Sequence, residues 1–176
     1  MERVSSKVVY EGKIAIVRED EFRLSDGSVT EREVVAHPGA VAVVAHDGER
    51  VYLVRQPREA VEDEALLELP AGKLDVPGES ELECAQRELA EEIGKEAARW
   101  TELKRLHTSP GFTDEETVLF LATELSDSDT DPDDEERIEI VPWALGDLDG
   151  AIAECRDAKS LVGLMLFREL RRSGDA

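Results

Sequence analysis

The run SELECAQRELAEEIG, residues 80–94, constrains the fold more than any other stretch of the chain. On a helical wheel Leu82, Ala85, Leu89 and Ile93 fall within about an 80° arc, a face that must pack on other structure. Glu88, Glu91 and Glu92 fall within about 100° of one another on a different face, with Glu81 nearby. Gly94 is a typical residue for ending such a helix. Like charges three or four residues apart repel by roughly 0.2–0.5 kcal/mol per pair. The carboxylate patch is therefore either a solvated face of a highly charged chain or a place where something cationic binds.

The rest of the chain sets the bounds. With 176 residues it has the size of one domain with a small appendage, and 41% hydrophobic residues suffice for a real core. No apolar run is long enough to span a membrane, and MERVSSKVVYEGK lacks a signal-peptide core, so a cytoplasmic protein is expected. Cys84 and Cys155 form no metal spacing and no disulfide framework, and are expected as reduced, partly buried thiols. Acidic residues number 42 against 21 basic, a net charge of −21. No basic stripe exists to hold nucleic acid. Such a surface repels itself at ordinary salt, whereas near 1 M salt the screening length falls to about 3 Å. The charge points to adaptation to high intracellular salt; an acidic mesophilic protein is the alternative.

Strand patterns appear in KVVY, KIAIVRE and EREVVAH within residues 6–37, with a turn at SDG. AVAVVAHDGERVYLVRQ (40–56) reads as two buried strands around a turn at HDGE, and LLELPAGKLDVPGE ends in an ordered loop. Further strands fit 99–109, 116–125 and 137–143, with an acidic loop at 126–136. A last helix is expected from about Ala158 to Arg171, capped by Asp157. Strands interspersed with two or three helices indicate a mixed α/β or α+β domain. His37, His46 and His107 show no ligand spacing, and Asp127, Asp129 and Asp131 read as solvated linker.

Residues 72–95, GKLDVPGESELECAQRELAEEIGK, resemble the Nudix hydrolase signature. Gly72, Glu79, Arg87, Glu88, Leu89, Glu91, Glu92 and Gly94 match it. Two departures are a loop one residue longer between Gly72 and Glu79, and Lys95 where the family has an aliphatic residue. The stretches LVRQPREAVEDEALLELPAGKLD (53–75), SPGFTDE (109–115) and DAKSLVGLML (157–166) are similar to ADP-ribose and ADP-sugar pyrophosphatases of that family. The resemblance implies an α/β/α sandwich with a mixed sheet over residues 39–172. A small antiparallel β region, residues 1–38, precedes it; in similar pyrophosphatases that region exchanges between subunits, which implies a homodimer.

It also implies roles. Glu88 and Glu92 would be the principal metal ligands, with Glu91 next, the carbonyl of Ala71 adding a ligand from the loop and Glu136 reaching the metals from the acidic loop. The cofactor would be Mg²⁺, with Mn²⁺ as substitute, since hard carboxylate oxygens suit hard cations. Arg87 would orient the carboxylates, its alternative being a surface ion pair of little worth. Arg58 would meet a substrate phosphate, although Pro57 stands where the family has an aromatic residue. Glu115 would hydrogen-bond the terminal ribose, and Pro110 and Gly111 would also contact the substrate. The general base would be Asp134 or Glu135, between which the sequence does not choose.

The implied reaction is hydrolysis of ADP-ribose to AMP and ribose 5-phosphate. Alternatives are another nucleoside diphosphate sugar or a dinucleotide as substrate, or a non-catalytic ADP-ribose sensor. The charge alone generates one prediction: cooperative thermal melting should require more than ~0.5 M KCl. A protein that is fully folded in dilute buffer, followed by circular dichroism across a KCl series, would remove the high-salt reading.

Overall fold

The computed structural model describes residues 1–129 and 138–174, which divide into two compact units. The first unit comprises Met1–Gly39 with His107–Glu116. Its sheet is an antiparallel meander of β1 (Glu2–Glu11), β2 (Ile16–Arg23) and β3 (Val29–Ala36). Irregular register between Arg3 and Ser5 and between Val8 and Tyr10 marks β1, all ten of whose residues are exposed. The segment 107–116 docks on β3: Val35 N donates to Phe112 O (2.7 Å), and Thr113 Oγ1 donates to Val35 O (2.9 Å). Asp20, 1% exposed, accepts from Ser6 Oγ (2.5 Å), Arg3 and Arg18. Its own burial pushes the carboxyl upward most strongly, but these donors together leave it below the usual carboxylate range.

The second unit comprises Ala40–Leu106 with Thr117–Ala176. Its strands are β4 (Ala40–His46), β5 (Arg50–Arg58), β6 (Asp63–Glu68), β7 (Ala71–Lys73), β8 (Lys95–His107), β9 (Glu116–Asp127) and β10 (Glu139–Ala144). They run β10-β5-β4-β9-β8 across a mixed sheet, with β6 on β5 and β7 on β4. β4 is parallel to β9 from Ala40 opposite Thr117 to Ala45 opposite Ala122. The helices are α1 (Glu81–Ile93), α2 (Leu148–Glu154) and α3 (Ala158–Ser173).

The unbroken apolar run of β4 is explained by cover on both faces. Val41, Val43 and Ala45 pack with Cys84, Ala85, Leu89 and Ile93 of α1. Ala42 and Val44 face the other way, with Ala151 of α2 and Leu164 and Phe167 of α3. Each fully buried Val, Leu or Phe contributes about 1.5–3 kcal/mol. Helices thus cover both faces of a mixed sheet, the α/β/α sandwich expected.

Local chemistry sets the helix ends. Ser80 caps α1 in a reciprocal capping box: Ser80 N donates to Glu83 Oε2 (2.8 Å) and Glu83 N to Ser80 Oγ (3.3 Å). Gly94 closes it at φ 63°, a left-handed conformation that suits glycine. Asp157 caps α3, as expected, by accepting from Ser160 N (3.0 Å).

Several expectations need correction. Leu82 is 38% exposed and lies off the packed seam, while Cys84, about 200° further round the wheel and between Glu88 and Glu91, is fully buried. Both thiols, expected partly buried, are buried outright. Helix α2, seven residues long, was not located in the sequence, since so short an apolar pattern has no distinct period. Asp127 ends β9 and pairs with Lys95 Nζ (2.5 Å), so it belongs to a strand, not to a linker, although its side chain is solvated as expected; Asp131 lies outside the described residues.

α3 approaches the sheet at Gly163, where a Cβ would stand 2.6 Å from Leu69 Cδ1 and 3.2 Å from Val44 Cγ2. Both neighbours are fully buried, so a larger side chain would crowd the core. Gly163→Val should therefore lower the free energy of unfolding by about 1–3 kcal/mol, read from urea denaturation at constant salt.

Candidate active site

The carboxylates of α1 meet a loop that the sheet holds flat. Val43 N donates to Pro70 O (2.9 Å), and Ala71, Gly72 and Lys73 pair with Ala42, Val41 and Ala40. This pins β7 beside α1. A Cβ at Gly72 would lie 1.9 Å from Glu88 Cδ and 1.9 Å from its Oε1, so the space a side chain would need is filled by Glu88. Glycine is demanded here by close approach, not by its backbone angles.

Arg87 gathers the acids. Its Nε donates to Glu79 Oε1 (2.8 Å) and Nη2 to Glu79 Oε2 (3.1 Å), a two-pronged pair. Nη1 donates to both Glu88 Oε1 (2.7 Å) and Glu91 Oε2 (2.8 Å). The Glu79 hydrogen bond is the largest of the effects that raise the guanidinium's pKa, and Arg87 in turn holds the Glu79 carboxyl below its ordinary value. Arg87 is thus bonded to three carboxylates, which goes beyond the surface ion pair that was its alternative reading.

Glu92 does not fit the solvated-face alternative. It is 5% exposed, and its Oε2 accepts Ala71 N (3.0 Å), which ties helix to loop. Cys84, on the buried side of the same helix, donates to Lys73 O (3.4 Å). Burial, then the charges of Glu88 and Glu79, push its thiol up to about 12, so it stays protonated and is no nucleophile.

Arg58 lies at the end of β5 and makes a two-pronged pair with Glu68 of β6, Nε to Oε1 at 2.6 Å and Nη2 to Oε2 at 2.9 Å. The Glu68 hydrogen bond is the largest effect raising its pKa, and the charge of Glu92 adds to it. Burial is the largest single influence on Glu68 and pushes it upward, but Arg58 and Lys159 outweigh it and hold the carboxyl below its ordinary 4.5. The stability this contributes is complete above pH 4.5 and is lost as pH falls through the lower folded value. Sequence reasoning missed Glu68; the signal was an acid inside the apolar run LLELP.

Glu115, Pro110 and Gly111 belong to the first unit. Glu115 accepts from Thr108 Oγ1 (2.7 Å). Pro110 and Gly111 line a cavity of about 570 Å³ with Arg3, Arg18, Phe22 and Phe112. Asp134, Glu135 and Glu136 lie outside the described residues.

The donor set fits a hard divalent cation: Glu88, Glu91 and Glu92 within little more than one turn and the backbone of Ala71 beside them, all oxygen ligands. Among the described residues no three acid, His or Cys side chains are already drawn together at metal-binding separation. Two of the carboxylates instead share the cationic Nη1 of Arg87, and Glu92 takes the Ala71 amide.

The chain is similar to several known proteins. Residues 36–154 match the NUDIX domain, and residues 1–35 match the nucleoside diphosphate sugar hydrolase N-terminal domain. An ADP-ribose pyrophosphatase of Mycobacterium tuberculosis is 45% identical over 125 residues, 70% of this chain and 60% of that protein. One from Bacillus subtilis is 37% identical over 147 residues, 82% of this chain and 78% of that protein. The crystal structure of an ADP compounds hydrolase superposes with a TM-score of 0.83 at 25% identity, covering 99% of this chain and 96% of that one.

The crowding at Gly72 yields a prediction. In Gly72→Ala the Glu88 carboxylate must leave its place, so Mn²⁺ affinity by isothermal titration should fall at least about tenfold. The melting temperature should move little, because the displaced group is a side-chain end and not the core.

Proposed function

The chain belongs to the Nudix family, and on that premise we propose that it hydrolyses the pyrophosphate bond of ADP-ribose to AMP and ribose 5-phosphate. The observation that carries this reading is the stretch of α1 where Glu92 is tied to Ala71, Glu88 fills the space at Gly72, and Arg87 holds Glu88 and Glu91. The printed names of its relatives support the choice of substrate.

Glu88, Glu91, Glu92 and the Ala71 carbonyl would hold Mg²⁺, or Mn²⁺ in its place. Such a cation offsets the charge of a diphosphate and lowers the pKa of a bound water. Arg87 keeps Glu88 and Glu91 oriented from the side, through hydrogen bonds that fix their carboxylate planes. Arg58, its own plane fixed by Glu68, presents a guanidinium to a substrate phosphate. Asp134 or Glu135 takes the proton of the attacking water, and Glu136 adds to the metal set. Glu115 hydrogen-bonds the terminal ribose, and Pro110 and Gly111 also contact the substrate. A homodimer is part of the proposal, supported by the exposed apolar residues Val4, Val8, Val9 and Tyr10 on β1. So are a cytoplasmic setting and a high-salt one, the latter supported by the net charge of −21.

The test is product analysis after incubation with ADP-ribose and MgCl₂ in molar KCl. AMP and ribose 5-phosphate in equal amounts are expected, and Glu92→Gln should lower kcat by about a hundredfold or more. A folded, metal-loaded wild type without turnover would redirect the search to other nucleoside diphosphate sugars, to dinucleotides and to binding alone.

A further inference from the structure

Glu68 is 1% exposed, and an enclosed carboxylate is costly unless its oxygens are fully matched. Arg58 occupies both oxygens from one side. From the other, Lys159 Nζ donates to Glu68 Oε2 (2.6 Å) and to Asp157 Oδ2 (2.9 Å), its side chain only 15% exposed. The same Asp157 oxygen accepts Ser160 N (3.0 Å) and Ser160 Oγ (2.5 Å), and Ser160 Oγ accepts Leu69 N (2.7 Å). The start of α3 therefore grips residues 68 and 69, just ahead of Ala71, and no reading so far has used Lys159.

We propose that Lys159 is a positioning residue for the reaction, acting through Glu68 to fix Arg58 and leave its guanidinium charge for the substrate. The inference rests on the reading of Arg58 as the phosphate contact. Arg58, Lys159, Glu68 and Asp157 together sum to zero charge. Without Lys159 the remaining three sum to −1, beside Glu92 and facing an anionic diphosphate. Arg58 would then be the sole counterion of Glu68, and its field at a phosphate would be cancelled. Its Nε and Nη2 are spent on Glu68, while Nη1 has no protein partner among the described residues and is the edge left for a ligand. A merely structural ion pair would affect stability without acting through Arg58.

The experiment combines spectroscopy and kinetics on the full chain. The Nε–H of Arg58, held against Glu68, should give an exchange-protected ¹H–¹⁵N signal, assigned by its loss in Arg58→Lys. In Lys159→Met, with a cooperative melt retained, that signal should lose protection. KM for ADP-ribose should rise about tenfold while kcat stays within about twofold. In an Arg58→Lys background the same change should raise KM no further. A retained Arg58 signal, or an unchanged KM, overturns the proposal. If Lys159→Met does not fold, it is made in Glu68→Gln, where the buried carboxylate is gone and only the partly exposed Asp157 loses its cation. There an unchanged KM relative to Glu68→Gln supports the proposal and an added rise overturns it. A wild type that does not turn over ADP-ribose refutes the substrate reading alone, and the Arg58 signal then decides on Lys159.

Discussion

The hydrogen bonds of Arg87 to Glu79, Glu88 and Glu91 are the interaction on which the candidate site depends. Clustered carboxylates on one helix repel, and in a chain of net charge −21 no distant field relieves them. One planar cation with its donors fixed in a fork both offsets that repulsion and dictates where each carboxylate points. The rest of the helix makes this possible: Ala85, Leu89 and Ile93 anchor its other side in the core, so the acids have a rigid base.

Rigidity also comes from the sheet. The same strand, β4, packs odd residues under α1 and even residues under α3, and its first half carries β7 as a paired neighbour. The loop that faces the acids is therefore backbone-bonded, not free, and Glu92 joins the two through the Ala71 amide. The small residue at Gly72 lets helix and loop close to a distance at which Glu88 lies over the peptide. Packing on one side of the sheet and hydrogen bonding at its edge thus cooperate to place a handful of oxygens.

Charge is arranged in the same economical way at Glu68. A strongly acidic chain that buries an acid must spend scarce cations on it, and Arg58 and Lys159 are both placed there. Lys159 is itself enclosed; its own desolvation, the largest influence, lowers its pKa, yet the charges of Asp157 and Glu68 outweigh that and raise it. Two cations and two acids packed this closely bind α3 to β6 and to the loop after it.

Much of this was legible beforehand. Helix α1 and its end at Gly94, the buried pair β4 and β5, and the cap of α3 at Asp157 all follow from local rules: periodicity, turn residues and side-chain-to-backbone hydrogen bonds. So did the acids and Arg87 as a group, since their spacing along one helix needs no distant partner. What the spacing could not reveal was burial: Leu82 is more exposed, and Glu92 far less, than a wheel suggests, because the wheel does not know where β7 lies. Nor could it reveal that Glu68 and Lys159, 91 residues apart, meet. By itself the sequence determined the local elements and the acids that travel together on α1, because those depend on neighbours along the chain. Only the tertiary structure decided which acids are enclosed, which cations answer them and which backbone closes on Glu88. Those are matters of low-dielectric surroundings and contact distance, and they exist only once distant segments have packed together.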